Sequence, residues 1–308
     1  MIYLKKFEKQ TQFDTFKESA DYVLPNVSYI VENKFVSFDP YIPPPAFVGD
    51  IAYWDGSSVK TTPLSSWNAS LGTPIGVVVV PEGFAPDGKA RIIGLKPVDS
   101  NGNQSDSHVD MTWGVHGTDT SLTNYTKVPT TDNAGSTSAG SNGYGYLPSD
   151  KFTDTQSYVD PLAKYNTTSN LIPSPYLGDA PNPEYYKEIS GYNNALSDFN
   201  GLSNTQVLVG LGTDYVAANA ASTYTDGASN LQWYLPAMGE LGYVMPRFNV
   251  IKASLTAVGG VALSGNNYFW SSSECNSYNA YYLYTRNGEV HYYVKSIDYY
   301  VRPFALLE

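Results

Sequence analysis

The C-terminal stretch at residues 280–295 alternates with a period of two, and this constrains the fold more than any other part of the chain. Such a period is typical of β-strands with one buried face. Asn287-Gly288 divides the stretch, and this dipeptide predicts a two-residue hairpin turn because both central positions of the favoured turn need positive φ. The sequence therefore predicts two antiparallel strands joined by a tight turn.

One face of this hairpin is aromatic. Leu283, Val290 and Val294 should point inward, so the opposite set should face water. A solvated face usually carries Lys, Glu and Thr, whereas Tyr with Ser, Asn and Arg is the composition of a binding surface. The alternative is that Tyr, a good strand former, merely covers the core. The positions that we expect to bind a ligand, on this face and in its flanking loops, form the variable set: Cys275, Asn276, Tyr278, Asn279, Tyr282, Tyr284, Arg286, His291, Tyr293, Ser296, Asp298 and Tyr299.

The variable set also has a common codon property. Asn, Tyr, Ser, His, Asp, Cys and Arg are all reached from an asparagine codon by changing only its first two bases, which are both adenine. A pyrimidine in the third place never produces a stop codon. This regularity favours a surface built for variation.

Several motifs resemble a known family. They are WYLPAMGEL at residues 233–241, FWSSSE at 269–274, the Asn-Gly hairpin, Lys295 and VRPF at 301–304. Together they resemble the C-terminal half of a C-type lectin fold. Among the branches of that fold, the chain is most similar to the variable proteins of diversity-generating retroelements, which include a phage tropism determinant.

The resemblance covers about residues 46–308 and implies an α+β domain with the C-type lectin fold. It implies a cassette at about 266–308, diversified by adenine-directed mutagenesis on a fixed scaffold. Tyr281 departs from the pattern, which has Trp there. The implied scaffold residues are Trp233, Trp270, Leu283, Val290 and Val301.

The function implied by the resemblance is non-enzymatic display on a phage tail. The expected partners are a bacterial cell-surface protein or glycan receptor and other virion components, with a homotrimer as the assembly and no cofactor. We expect the protein to be made in the bacterial cytoplasm and carried on the virion. The alternatives are an adhesin or lectin-like glycan-binding protein at the cell surface and an enzyme of the formylglycine-generating type.

Residues 1–45 predict a separate small unit. Two strands are expected at 27–31 and 35–38 after a short helix near 13–20, and Pro43-Pro44-Pro45 predicts a stiff linker. The unit is either an anchor that docks on a larger particle or an edge hairpin packed on the main domain. Its segments KKF and LPNVSYI resemble proteins of gut Bacteroides and their phages.

In the main domain we expect a small antiparallel sheet, with the first and last strands of the domain paired. Residues 99–175 are rich in Ser, Thr, Gly and Asn without hydrophobic periodicity, which predicts a long loop insertion. The predicted strands are at 49–54, 76–80 and 91–95, and the predicted helices are at 205–211, 215–224, 236–245 and 248–258.

Composition excludes several classes of function. The net charge of −11 disfavours nucleic acid and anionic membranes, because both attract Lys and Arg. A single Cys excludes an internal disulfide framework. No apolar run approaches the length of a membrane span, and charges interrupt the opening MIYLKKFEKQ, so we expect neither membrane insertion nor a signal peptide there.

Catalytic motifs are missing as well. The three histidines do not have the spacing of a metal motif, and a site formed by His108 and His116 is disfavoured. Cys275 stands alone in a predicted surface loop, which weakens the formylglycine-generating alternative. Glu274 is the one candidate for a buried charge, and we expect backbone amides or Arg302 to satisfy it.

Overall fold

A computed structural model describes residues 46–125, 195–245, 247–286 and 288–307, together with the backbone of four strands outside these ranges. The strands are β1 (Tyr3–Phe7), β2 (Val27–Val31), β3 (Lys34–Val36), β4 (Ile51–Trp54), β5 (Val59–Thr62), β6 (Thr73–Val80), β7 (Arg91–Gly94), β8 (Asp110–Thr112), β9 (Gly145–Tyr146), β10 (Trp233–Tyr234), β11 (Tyr268–Glu274), β12 (Asn279–Tyr284), β13 (Glu289–Val294), β14 (Asp298–Tyr300) and β15 (Phe304–Leu306). The α-helices are α1 (Gly201–Leu211), α2 (Val216–Thr223), α3 (Met238–Gly242) and α4 (Phe248–Ala257).

A six-stranded antiparallel sheet forms the centre of the main domain, in the order β10-β15-β7-β6-β4-β5. Its longest strand, β6, ends in the run Val77–Val80, and all four side chains are buried. Such a continuous apolar run is typical of a strand covered on both faces. The predicted sheet is confirmed. The expected pairing of the first and last strands is wrong, because β6 and β7 lie between β4 and β15.

Each face of the central sheet packs against helices. Val77 and Ile93 face one core, together with Phe248 and Ile251 of α4. Val78 faces the other core, which contains the buried alanines of α2. Small side chains let α2 lie close to the sheet, because Ala projects only a methyl group.

A second six-stranded sheet has the order β8-β14-β11-β12-β13-β9. All of its pairings are antiparallel except that of β11 with β14. One face joins the same core as α4, through Phe269, Tyr281, Leu283 and Val290. The described residues therefore combine α-helices with sheets that are antiparallel in all but one pairing, which is an α+β arrangement.

Most of the predicted helices are confirmed. The segments predicted at 205–211 and 215–224 are α1 and α2, and the segment predicted at 248–258 is α4. The helix predicted at 236–245 is shorter and consists of α3 alone. Within the part of the chain that the structure describes, no helix is long and apolar enough to cross a membrane.

Two predicted regions lie partly outside the described residues. Near the N terminus, β2 pairs with β3 as predicted, and β1 adds a strand that the sequence did not predict. The predicted helix near 13–20 lies outside the described residues. So does most of the predicted insertion at 99–175. Its first part, however, contains β8 and the fully buried Trp113, so this part belongs to the folded core rather than to a loop insertion.

Candidate functional site

The hairpin of β12 and β13 places aromatic side chains on one face. Opposed residues of an antiparallel pair share a face, and Leu283 is paired with Val290, while Tyr282 is paired with His291. Leu283 and Val290 are fully buried in the core. The predicted alternation is therefore confirmed at these positions, whereas Val294 is only half-buried.

Three tyrosines from neighbouring strands stack as a ladder on the other face. The Tyr268 ring on β11 stacks on Tyr284 of β12 with centroids 4.0 Å apart and planes 1° apart. It stacks on Tyr299 of β14 at 4.9 Å and 14°. Neighbouring strands are about 4.8 Å apart, so the rings stack across the strands and stand upright on the sheet. Their faces cover each other, and their edges form the outer surface.

Further aromatic side chains surround the ladder. The Tyr282 ring contacts Tyr299 edge to face at 5.0 Å and lies over the His291 ring at 5.9 Å. Tyr293 lies beside Tyr299 with ring centroids 6.4 Å apart. We call this surface the aromatic face: Tyr268, Tyr282, Tyr284, His291, Tyr293 and Tyr299.

The raised pKa values of Tyr268, Tyr282 and Tyr299 keep these three hydroxyls of the aromatic face protonated at neutral pH. Burial, and next the neighbouring Tyr284 hydroxyl, raise the pKa of Tyr268 to about 12. Burial also raises the pKa of Tyr299, and burial together with the charge of Glu289 raises the pKa of Tyr282. The Tyr282 hydroxyl donates a hydrogen bond of 2.9 Å to Glu289 Oε1. The face therefore offers phenol groups that donate as well as accept hydrogen bonds.

His291 is neutral on this face. Burial lowers its pKa to about 4. The backbone N–H of Tyr292 donates to His291 Nδ1 over 2.6 Å, which requires this nitrogen to be unprotonated. Around neutral pH the imidazole therefore adds an aromatic ring to the face without adding charge.

The structure divides the variable set by exposure. Its exposed members are Tyr278, Arg286, Tyr293, Ser296 and Asp298. Its half-buried members are Asn276, Asn279, Tyr284, His291 and Tyr299. Its buried members are Cys275 and Tyr282.

For the two buried members, the prediction of solvent exposure is wrong. Cys275 is only 4% exposed because it follows β11 directly and packs into the core, where burial raises its thiol pKa to about 11. Tyr282 is 5% exposed because the rings of Tyr268, Trp270 and Tyr299 enclose it. Cys275 therefore has no surface for a ligand, and Tyr282 mainly supports the rings around it.

The turn between β11 and β12 presents Tyr278. Asn276 Oδ1 accepts hydrogen bonds from the backbone N–H groups of Tyr278 and Asn279, at 2.9 and 3.0 Å, and from the Asn279 side-chain amide at 3.2 Å. Asn276 and Asn279 thus hold the turn. Tyr278 lies at the tip of the turn and is 53% exposed.

A buried ion pair lies beneath this turn. Lys295 Nζ contacts Glu274 Oε1, and both side chains are fully buried. Thr120 donates to the second oxygen of Glu274 over 2.5 Å. The expectation that backbone amides or Arg302 satisfy Glu274 is therefore wrong. Arg302 instead donates to the backbone carbonyls of residues 94, 95 and 261.

Sequence reasoning missed Tyr268 and Glu289. Tyr268 alternates with Phe269 and shares its face with Trp270, which was assigned to the scaffold, so the period-two pattern was the available signal. Glu289 is paired with Tyr284 across the strands and receives the Tyr282 hydroxyl. Neither belongs to the variable set.

Metal-binding geometry is not found at the histidines. His108 packs between Phe269 and Tyr300, at ring centroid distances of 5.3 and 5.1 Å, whereas His116 contacts Tyr278. Within residues 46–125, 195–245, 247–286 and 288–307, no group of three or more His, Cys, Asp or Glu side chains is placed to hold a metal ion.

Comparison with known proteins yields one distant structural likeness. No family model matches the sequence, and no curated protein matches it. A fimbrial protein from Bacteroides ovatus is similar over 91% of this chain, with 16% sequence identity and a TM-score of 0.40. This chain covers 52% of that structure, and so spans about half its length. A TM-score of this size is too low to establish a shared fold.

Proposed function

We propose that this chain is a non-enzymatic display protein that binds a ligand on its aromatic face and the adjoining turn. The observation that carries the proposal is the composition of that surface and the stacking of its rings. Tyr293, at the edge of the stacked ladder, is 47% exposed, and Tyr278 projects from the neighbouring turn. Exposed aromatic groups on a rigid sheet bury a large area at low entropic cost when a partner binds.

The binding mechanism follows from the upright rings. Because the ladder rings cover each other's faces, the ligand meets their edges and hydroxyls. Tyr278 and Tyr293 act as the protruding anchors, and polar neighbours such as Ser296 add adaptable hydrogen bonds. No covalent step is involved.

The resemblance in the sequence extends this proposal. We propose a C-type lectin fold, with residues 266–308 as a cassette diversified by a retroelement. We propose further that the protein lies on a phage tail, that it assembles as a homotrimer without a cofactor, and that it recognises a bacterial cell-surface protein or glycan. Several linked copies would strengthen individually weak contacts, because later binding events become intramolecular.

The binding proposal is tested with fluorescently labelled protein on a panel of gut bacterial strains. A double variant, Tyr278→Ala with Tyr293→Thr, should lose cell binding. Phe47→Ala is the matched control, because Phe47 is also 47% exposed but lies in the turn that precedes β4, outside the second sheet. Equal binding by the double variant, or no strain bound by the wild type, contradicts the proposal.

The class of ligand is tested on the strains that bind. Protease treatment of the cells should abolish binding if the receptor is a protein, and periodate oxidation should abolish it if the receptor is a glycan. The retroelement is tested separately, by sequencing the gene and its flanking DNA across a population. Differences should concentrate in the variable set, in codons that end in a pyrimidine, with an adenine-rich template nearby; an invariant segment without a template would refute the link.

A further inference from the structure

A loop outside the cassette lies beside the turn that presents Tyr278. Residues 116–119 follow β8 and are exposed. The His116 ring packs edge to face on Tyr278, with centroids 5.0 Å apart and planes at 64°. The two exposed rings therefore form one continuous surface, although they are far apart in sequence.

Contacts that do not depend on the variable side chains hold this loop in place. The backbone N–H of Gly117 donates to the Ser277 carbonyl over 3.0 Å, and the backbone N–H of Trp113 donates to the Lys295 carbonyl over 2.9 Å. Backbone groups are the same whichever side chain a position carries. The loop thus keeps its place when an exposed side chain such as that of Tyr278 is exchanged.

The buried ion pair anchors the same loop from below. Lys295 Nζ donates to the Thr118 carbonyl over 2.8 Å, and Thr120 binds Glu274. The Lys295 ammonium also lies over the Trp113 ring, 4.9 Å from its centroid. Since Lys295 and Glu274 are fully buried, these anchors lie out of reach of a ligand and hold the loop from within.

The His116 imidazole has two ring nitrogens that can form hydrogen bonds. Among the residues that the structure describes, its imidazole makes a ring contact with Tyr278 and no hydrogen bond to the protein. A ring that is packed on one edge and exposed elsewhere is pre-oriented, so it loses little side-chain freedom when it binds.

We propose that loop 116–119 is a fixed wall of the ligand-binding surface and that the His116 imidazole hydrogen-bonds the ligand next to Tyr278. The inference rests on the proposed function, because it adds a contact residue to the same surface. It assigns part of the recognition to a position outside residues 266–308, which diversification of the cassette would leave unchanged.

The test uses the full chain and a bacterial strain that the wild type binds. His116→Ala should weaken cell binding at least about fivefold, the size of a lost hydrogen bond of about 1 kcal/mol. His116→Phe should be weakened similarly, because it keeps the ring contact with Tyr278 but has no nitrogen. Both variants should unfold at the wild-type denaturant concentration, and Phe47→Ala should bind as the wild type does.

The outcomes separate this inference from the proposed function. If His116→Ala binds normally while the Tyr278/Tyr293 double variant does not, the surface is correct and the inference is wrong. If His116→Phe restores full binding, the histidine only supports Tyr278, and a direct polar contact is refuted. If the wild type binds no strain, the proposed function fails and the inference fails with it.

Discussion

The same substitution at two tyrosines of the aromatic face should have opposite consequences. Tyr282→Thr and Tyr293→Thr both exchange a tyrosine of the β12/β13 hairpin for another good strand former, which keeps backbone propensity nearly constant. The two rings differ in burial, since Tyr282 is enclosed and Tyr293 is about half exposed. The comparison therefore isolates the contribution of packing.

The expected magnitudes follow from that burial. Removing a buried aromatic ring costs about 3–5 kcal/mol, because a cavity adds to the lost transfer free energy. Tyr282→Thr also removes the donor to Glu289, so we place it within this range. Tyr293→Thr should cost no more than about 1 kcal/mol, as is usual for surface positions. Its effect should instead appear as lost binding to cells.

Equilibrium urea unfolding measures both variants against the wild type, and the midpoint shift multiplied by the slope gives each free-energy change. A cost below about 1 kcal/mol for Tyr282→Thr would show that its ring is not enclosed in the folded protein. A large cost for Tyr293→Thr would show that this ring belongs to the core, and the division of the variable set into anchors and supports would then be refuted.

Three further predictions concern Lys295, His291 and Cys275, which lie in or directly after strands of the second sheet. Lys295→Met should lower the free energy of unfolding by about 3–5 kcal/mol, because it leaves the Glu274 carboxylate buried without its partner; urea unfolding checks this. Relative to His291→Gln, the wild type should lose up to about 3 kcal/mol of stability as the pH falls from about 6.5 to about 4, because the unfolded chain binds a proton that the folded imidazole excludes. Above pH 7 the stability difference between the wild type and His291→Gln should not change with pH. Unfolding curves of both proteins at about pH 4, at about pH 6.5 and above pH 7 test this prediction. Cys275 should react with Ellman's reagent at pH 8 only after denaturation, because its thiol is buried and its pKa is raised to about 11.

The hairpin was predictable because its signal is local. The period-two alternation identifies which residues share a face, and it paired Leu283 with Val290 on the core side, where the structure has them. Tyr281, where the resemblance noted in the sequence has Trp, is also a core residue, and its hydroxyl donates to the Tyr125 carbonyl over 2.6 Å. The residues that share one face of a strand can therefore be identified from the sequence before the elements that pack against that face are known.

The sequence did not predict how much of each face of the second sheet is buried, because the elements that cover the sheet come from distant parts of the chain. β8 pairs with β14, and Trp113 follows β8 in a segment whose sequence has no periodicity. That segment places Trp113 beside Lys295, and Thr120 beside Glu274. The sequence indicated a buried charge only at Glu274, whereas tertiary contacts place Lys295 and Thr120 inside as well.

The members of the variable set differ in solvent exposure, and this difference affects how the surface tolerates substitution. A substitution in the ladder, at Tyr284 or Tyr299, removes a stacking partner of Tyr268 and so alters stability and binding together. A substitution at Tyr278 or Ser296 changes an exposed side chain on a backbone that hydrogen bonds hold in place. The chemical range of the surface should therefore come mainly from the exposed positions, with the ladder limited to residues that can stack, and the proposed contact at His116 should stay constant beside them.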